Sequence, residues 1–569
     1  MGCCYFCACR ARSPSYNHFL ILELSRSHNP MWLKEELSRK TVQKKLESFL
    51  RVFAAVKGPQ QLFKHKVLLQ IYVSFLANPD GRLSSLAFSC VLRFKLPYLS
   101  PYVDYVQPML KREGLREALT KFDLSEDSEI VDAEHKLLLL PIVIRILFGR
   151  FSARGNGVKK SAKDSPTARR AAILSFFSGI GNNEGELNYF IYMMIRAFIP
   201  RNTSMTNEGI QIEKEALTRL IQASEKITST EVTYIPLKRQ EGFLNLLTDV
   251  ITQIGFGVKD FIPTFTNLLL AISEQTEHAL VANIKNQAIK NEPNYDGSTS
   301  VEHDGKTGIG RIRTLTFLRL ADIMTKFASS IDFSVHVEHL WKSTSSSVVA
   351  LPNTVINAEK PPSSLQLIEA ISSHHALIPL LHQSESAVVA VFKCIAGTTR
   401  MNVMNCVLRI IGGLLTDGGT LGTLDDGHVS CNAHTMGHTI ILQNIHMLIA
   451  QFTDRLTCIS KNAHLDEEVD ISRPLSTKSP RKPNPTDGLQ LNILCRVTEL
   501  LVSATEANEE HIATMETLCN LLVPLLKFDS HPNQLYVMRT VNSLIPKLLN
   551  TQASMSHFHA ISKVSCHFI

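Results

Sequence analysis

The apolar residues of this chain recur with the period of an α-helix almost throughout, and that leaves few folds open. Leu46, Phe49, Leu50 and Phe53 stand at i, i+3, i+4 and i+7. Leu83, Leu86, Ala87 and Cys90 repeat the spacing, extended by Val91 and Phe94. It returns in Phe243, Leu246, Leu247, Val250 and Ile254, and in Val403, Val407, Ile410, Ile411 and Leu414. Such stripes mark one-sided helices of roughly 12–20 residues, and sustained strand alternation is hard to find. The chain therefore reads as all-α. Helices are expected over 68–76 and 83–94, separated by the turn Asn78-Pro79-Asp80-Gly81, and over 238–255 and 258–275, broken at Gly255 and Gly257. Further helices are expected over 488–505, 508–527 and 533–549. Tight turns between amphipathic helices make neighbours antiparallel. A pair with its turns spans about 40 residues, the spacing of HEAT or armadillo repeats. Each pair has more apolar face than it can bury alone, so pairs must stack. The expected fold is an α-solenoid, a right-handed superhelix of about ten pairs.

Composition agrees. Of 569 residues, 44% are apolar and 20% charged, which excludes wholesale disorder. With 27 Gly and two Trp, a propeller or aromatic-rich barrel lacks its turns and periodic aromatics. The net charge of +7 permits contact with nucleic acid without requiring it. Of twelve cysteines, four fall in the first nine residues and the rest are scattered, as at Cys90, Cys394, Cys406 and Cys519. Scattered single cysteines read as buried, reduced thiols in a reducing compartment. No run reaches the roughly 18 apolar residues of a membrane span. The best, 137–148, contains Arg145. The start Met1-Gly2-Cys3-Cys4 is similar to a lipid-anchor signal but has Phe6 where that signal needs Ser or Thr. Cys4 and Cys7 lack the second ligand pair of a zinc finger.

The expected organisation is an atypical segment over 1–37, helical repeats over 38–151, a basic loop over 152–168, and repeats over 169–289. A polar loop over 290–310, repeats with internal loops over 311–459, a Pro-rich basic linker over 460–487, repeats over 488–550 and a tail over 551–569 complete it. Residues 342–364 and 417–432, rich in Ser, Gly, Asn and Asp, read as internal loops. The ends lack a helical face, so the array reads as part of a longer one.

Motifs for chemistry are weak. Gly305-Lys306-Thr307 lacks the earlier Gly and the strand of a phosphate loop, and Arg313 spoils a dinucleotide fingerprint at Gly308 and Gly310. His428, Cys431, His434 and His438 could hold zinc if one helix carried both His434 and His438, but polar loop residues beside a helix account for them too. Leu518-Cys519-Asn520-Leu521-Leu522 spells a coactivator motif that core periodicity also produces. No enzyme constellation, cofactor or small-molecule substrate is indicated. Ser479, before Pro480, Arg481 and Lys482, is a candidate phosphosite. The stronger candidate is the basic stretch from Arg150 to Arg170, with seven basic residues against Asp164 alone. Arg154, Lys159, Lys160, Lys163, Arg169 and Arg170 are expected to contact RNA phosphates or an acidic partner. No aromatic between Arg154 and Arg170 offers base stacking, so contact would be to the backbone and blind to sequence. Arg169 and Arg170 open the next helix, where positive charge opposes its dipole, which points to an external anion as their partner.

Three stretches together resemble one family. They are Pro108 to Phe122 (PMLKREGLREALTKF), Glu134-His135 followed by Leu140 to Arg150 (LPIVIRILFGR), and the basic loop running into Ala168 to Leu174 (ARRAAIL). In order and spacing they are similar to the down-regulated-in-metastasis family, large HEAT-repeat scaffolds of the small-subunit processome. The resemblance is sharp over about 40–200. It implies a non-catalytic nucleolar scaffold that supports pre-ribosomal RNA processing, with processome proteins and pre-ribosomal RNA as partners and no membrane. Family members are several times longer, so it also implies a fragment or short form. Repeat architecture alone would equally fit an adaptor in nuclear transport or in a regulatory complex, although two Trp speak against an importin-type Asn/Trp ladder.

Overall fold

The computed structural model describes residues 39–111, 114–122, 130–153, 165–179, 184–198, 228–290, 308–398, 400–418, 435–455, 485–503 and a few positions in 514–544. Helices dominate, and no strand occurs among the described residues. The chain divides after Leu268 into two compact units.

In the first unit the helices are α1 (Arg39–Ala55), α2 (His65–Phe75), α3 (Gly81–Leu92), α4 (Val103–Met109), α5 (Leu115–Lys121), α6 (Ala133–Ser152), α7 (Pro166–Gly179), α8 (Glu184–Ile195), α9 (Ser229–Thr233) and α10 (Leu237–Ile254). Asp80 starts α3, its carboxylate accepting from the Arg82 amide at 2.9 Å while its own amide donates to Asn78 Oδ1. The expected turn is therefore a helix cap. α1 packs on α3, and α2, α6 and α8 pack in succession beside them. Cys90 Sγ donates to the Leu50 carbonyl, and Arg93 Nε donates to the Ala54 carbonyl at 2.6 Å. Gln43 bonds Asp80 at the opposite end. The three bonds rise together along both helices, so α1 and α3 run parallel and pack directly on each other, with α2 packed against α3. They join residues 37 to 40 apart, which is the repeat period.

α11 (Ile262–Lys290) carries the chain on from a 3-10 turn over Gly255–Phe261. The second unit holds α12 (Gly308–Phe327), α13 (Val337–Val349), α14 (Leu351–Ile356), α15 (Ser363–Ser372), α16 (Ile378–His382), α17 (Glu385–Gly397), α18 (Met401–Leu415), α19 (Met436–Gln443) and α20 (Pro485–Ser503), with 445–455 also helical. α12, α15, α18 and α20 stack as one row, while α13 and α14 meet α17, and α16 meets α19, in the other. The same period recurs: Glu369 on α15 accepts from Cys406 and Arg409 on α18, 37 and 40 residues on. This is the stacked helix-pair architecture the apolar period requires.

Three expectations change. Residues 342–364 are mostly helix, with only Ala350 and 357–362 outside it. The Ser343–Ser347 run disguised an inward stripe, because Ser343 and Thr344 are fully buried and return their hydroxyls to the Leu340 carbonyl. Phe49, placed on the inner stripe of α1 by its spacing, is 51% exposed, whereas Leu50 and Leu247 are buried and Leu86 is half-buried. The basic and polar loops are also shorter than expected, since α7 begins at Pro166 and α12 at Gly308.

The buried cysteines are thiols, as expected of Cys90, Cys394 and Cys406; Cys519 lies outside the described residues. Burial pushes Cys90 up to about 11 and Cys394 and Cys495 up to about 12. Their thiolates are thus scarce at neutral pH, and these sulfurs serve packing.

α18 crosses α15 closely. A Cβ on Gly413 would lie 2.4 Å from the Ser372 carbonyl oxygen, whereas one on Gly242, inside α10, would meet nothing within 4 Å. Gly413→Ala should destabilise by about 1–3 kcal/mol through forced separation of the helices. Gly242→Ala should stabilise by about 0.5–1 kcal/mol through helix propensity. Thermal unfolding of the two variants checks this, and shifts of the same sign would refute the close crossing.

Candidate nucleic-acid interface

The two sides of the basic stretch are held by an aromatic cluster. Phe190 on α8 meets Phe148 and Phe151 on α6 and Phe177 on α7, with ring centres 4.7–5.9 Å apart. That cluster sets the C-terminal end of α6 beside the start of α7. Arg169, in the first turns of α7, donates through Nε to the Arg150 carbonyl at 2.9 Å and through Nη2 to the Ala153 carbonyl at 2.5 Å. Arg170 donates through Nε to the Phe151 carbonyl and through Nη1 to Asp249 on α10 at 2.8 Å, forming a half-buried ion pair. Arg150 is itself buried and donates to the Lys111 carbonyl at 3.1 Å.

These contacts revise the electrostatic argument for Arg169 and Arg170. Positive charge does oppose the dipole of α7, but the guanidiniums sit on the orphan carbonyls at the C-terminal end of α6, where both the dipole and the hydrogen bonds favour a cation. Both arginines thus have partners within the chain. The sequence could not reveal this, because it depends on α6 and α7 meeting end to start. Arg154, Lys159, Lys160 and Lys163 lie outside the described residues, between the stapled ends Ala153 and Ser165. Ser479 also lies outside them.

Of the histidine cluster, only His438 lies among the described residues. α19 begins at Met436, with the Thr435 hydroxyl accepting from the His438 amide. His438 is buried and its Nε2 lies 2.9 Å from the Leu415 carbonyl, so that nitrogen carries the proton and donates. His428, Cys431 and His434 lie outside the described residues. Among the described residues no three His, Cys, Asp or Glu side chains come together as a metal site, and no helix is long and apolar enough to cross a membrane. Leu518 is buried, as a core residue would be; the rest of its motif is outside the described residues. Trp341 donates its indole N–H to the Leu380 carbonyl, 39 residues on, so it joins repeats and offers no recognition ladder.

One charge asymmetry escaped the sequence reading. Residues 39–95 hold eleven Lys and Arg against Glu47 and Asp80, a net +9 in a chain whose total is +7. Summing charge per repeat would have found it.

The fold defines the class: an all-α protein of stacked helix pairs, with its first repeat strongly basic. The chain belongs to the family described as U3 small nucleolar RNA-associated protein 20, N-terminal, whose model matches residues 40–568. The family resemblance of the three signature stretches is thereby borne out. Curated relatives named U3 small nucleolar RNA-associated protein 20 include one from Schizosaccharomyces pombe, 24% identical over 224 residues, and one from Saccharomyces cerevisiae, 22% identical over 228. Each match covers 39% of this chain and only 8% of the relative's length.

The internal role of Arg169 is testable. Arg169→Gln removes charged donors from two carbonyls and should destabilise by about 1–3 kcal/mol. Thermal unfolding with the parent's midpoint would mean that the α6–α7 staple carries no stability.

Proposed function

We propose that this chain acts in ribosome biogenesis as a non-catalytic scaffold, supporting small-subunit pre-ribosomal RNA processing within the nucleolar processome. The observation that carries the reading is the family match across nearly the whole described array. The names of the relatives associate them with a small nucleolar RNA, and stacked helix pairs provide the long surfaces on which such assemblies are organised. Its partners are processome proteins and pre-ribosomal RNA, and its location is the nucleolus. Within the chain, Arg154, Lys159, Lys160 and Lys163 are the contacts assigned to RNA phosphates or an acidic partner. Arg169 and Arg170 act mainly by stapling the ends of that segment. Ser479 is proposed as a phosphorylation site.

The tagged chain should co-purify with precursors of the small-subunit RNA from nuclear extract. Lys159→Gln, Lys160→Gln and Lys163→Gln together should weaken that association, with stability changed by no more than about 0.5 kcal/mol, as at surface sites. The salt dependence should become shallower by up to about three charges' worth. Absence of precursor RNA from the purified material would reject the scaffold reading. An unchanged salt slope would reject the loop as its contact.

A further inference from the structure

The densest positive charge sits at one end of the first repeat. α1 and α3 are parallel, so their C-terminal ends lie together, and Arg93 on the Ala54 carbonyl marks the join. The segment between α1 and α2 is held at the same end, since Gln60 Nε2 donates to the Phe94 carbonyl at 2.8 Å. Arg51, Lys57, Lys64, Lys66 and Lys95 are all exposed there, and none of them pairs with a carboxylate among the described residues. The only acidic residues of 39–95 are tied to the opposite end: Asp80 caps α3 and accepts from Gln43, which also bonds Glu47.

Ordinary helix electrostatics explains part of this. Arg93 is the C-terminal cap of α3, where a cation complements the negative dipole end, and Arg51 lies just before the last turn of α1. It does not explain Lys64 and Lys66. Lys64 caps the start of α2 with a left-handed φ of 57° and Lys66 lies in its first turn, so both charges oppose that dipole. Beside them Phe63 is 85% exposed, with the Lys64 ammonium 5.3 Å from its ring centre. An exposed aromatic ring flanked by unpaired cations fits a strand of phosphates with unstacked bases. An acidic protein segment would use the charge but gain nothing from the ring.

We propose that this end of the first repeat binds single-stranded RNA, with Lys57, Lys64, Lys66 and Lys95 on phosphates and Phe63 stacked on a base. The identity of that RNA rests on the ribosome-biogenesis reading; the binding does not. The test is fluorescence anisotropy of the whole chain with a short labelled single-stranded RNA, the matching duplex, and polyglutamate as competitor. Lys57→Gln, Lys64→Gln, Lys66→Gln and Lys95→Gln together should lower single-strand affinity at least tenfold. They should also flatten the log–log salt slope by up to about three, for four phosphates at about 0.7 each. Phe63→Ala should weaken single-strand binding about tenfold and leave duplex binding unchanged. All five side chains are exposed, so melting temperatures should match the parent's. Parental affinity in the four-lysine variant would overturn the proposal. So would polyglutamate competing as well as RNA, which would mark an acidic protein as the occupant, or equal losses on single strand and duplex in Phe63→Ala. Naked RNA is used, so failure here is distinct from failure to co-purify with precursor RNA.

Discussion

An arginine side chain on the last carbonyls of a neighbouring helix is the contact on which much of this architecture turns. Arg93 bonds Ala54 at the end of α1, Arg169 and Arg170 bond Arg150, Phe151 and Ala153 at the end of α6, and Arg455 bonds Ile395 and Thr398 at the end of α17. Each satisfies carbonyls that an α-helix cannot satisfy itself and places a cation on the negative end of the dipole. Apolar stripes bring helices together and interdigitate. A guanidinium fixed to a helix end adds a directional contact that reinforces their register. Bonds spanning 37 to 40 residues in each unit are how the repeat period becomes a fixed register.

That use of arginine divides the basic residues into two kinds. Arg150, Arg169 and Arg170 belong to the fold, and their charge is directed at backbone carbonyls and Asp249. Arg154, Lys159, Lys160 and Lys163 lie between the stapled ends. The first repeat shows the same division: Arg93 is a cap, while Lys64 and Lys66 stand against the dipole of α2. Net charge alone makes no such distinction. The geometry of helix ends does.

Helix type, pairing and period could be read from the sequence because they follow from apolar spacing, as in Val403, Val407, Ile410, Ile411 and Leu414, every one of which is buried. The reading failed where polar residues pack. Ser343 and Thr344, in the stretch expected to be loop, bond their own helix; the helix expected over 258–275 is present as α11, which also buries polar residues, among them Ser273, Thr276 and Glu277. Glu277 is met there by Ser346, Ser347 and Arg313. A hydropathy pattern cannot register a stripe whose hydroxyls return to backbone carbonyls, as those of Ser273, Thr276, Ser343 and Thr344 do. The partners of Arg169 and Arg170 were hidden for a different reason, since they depend on which helix ends meet. The familiar stretches over 108–174 include Arg150, Arg169 and Arg170 of that junction.

The central claim is that polyanion contact and structural capping are assigned to different basic residues. Photo-cross-linking of the whole chain to RNA, with mass-spectrometric mapping of the joined peptides, tests it most directly. The account predicts cross-linked peptides from 56–66 and from 154–164, with the Arg169–Arg170 peptide and the Arg455 peptide unmodified. Cross-links concentrated on the capping arginines, with none in those two segments, would contradict it.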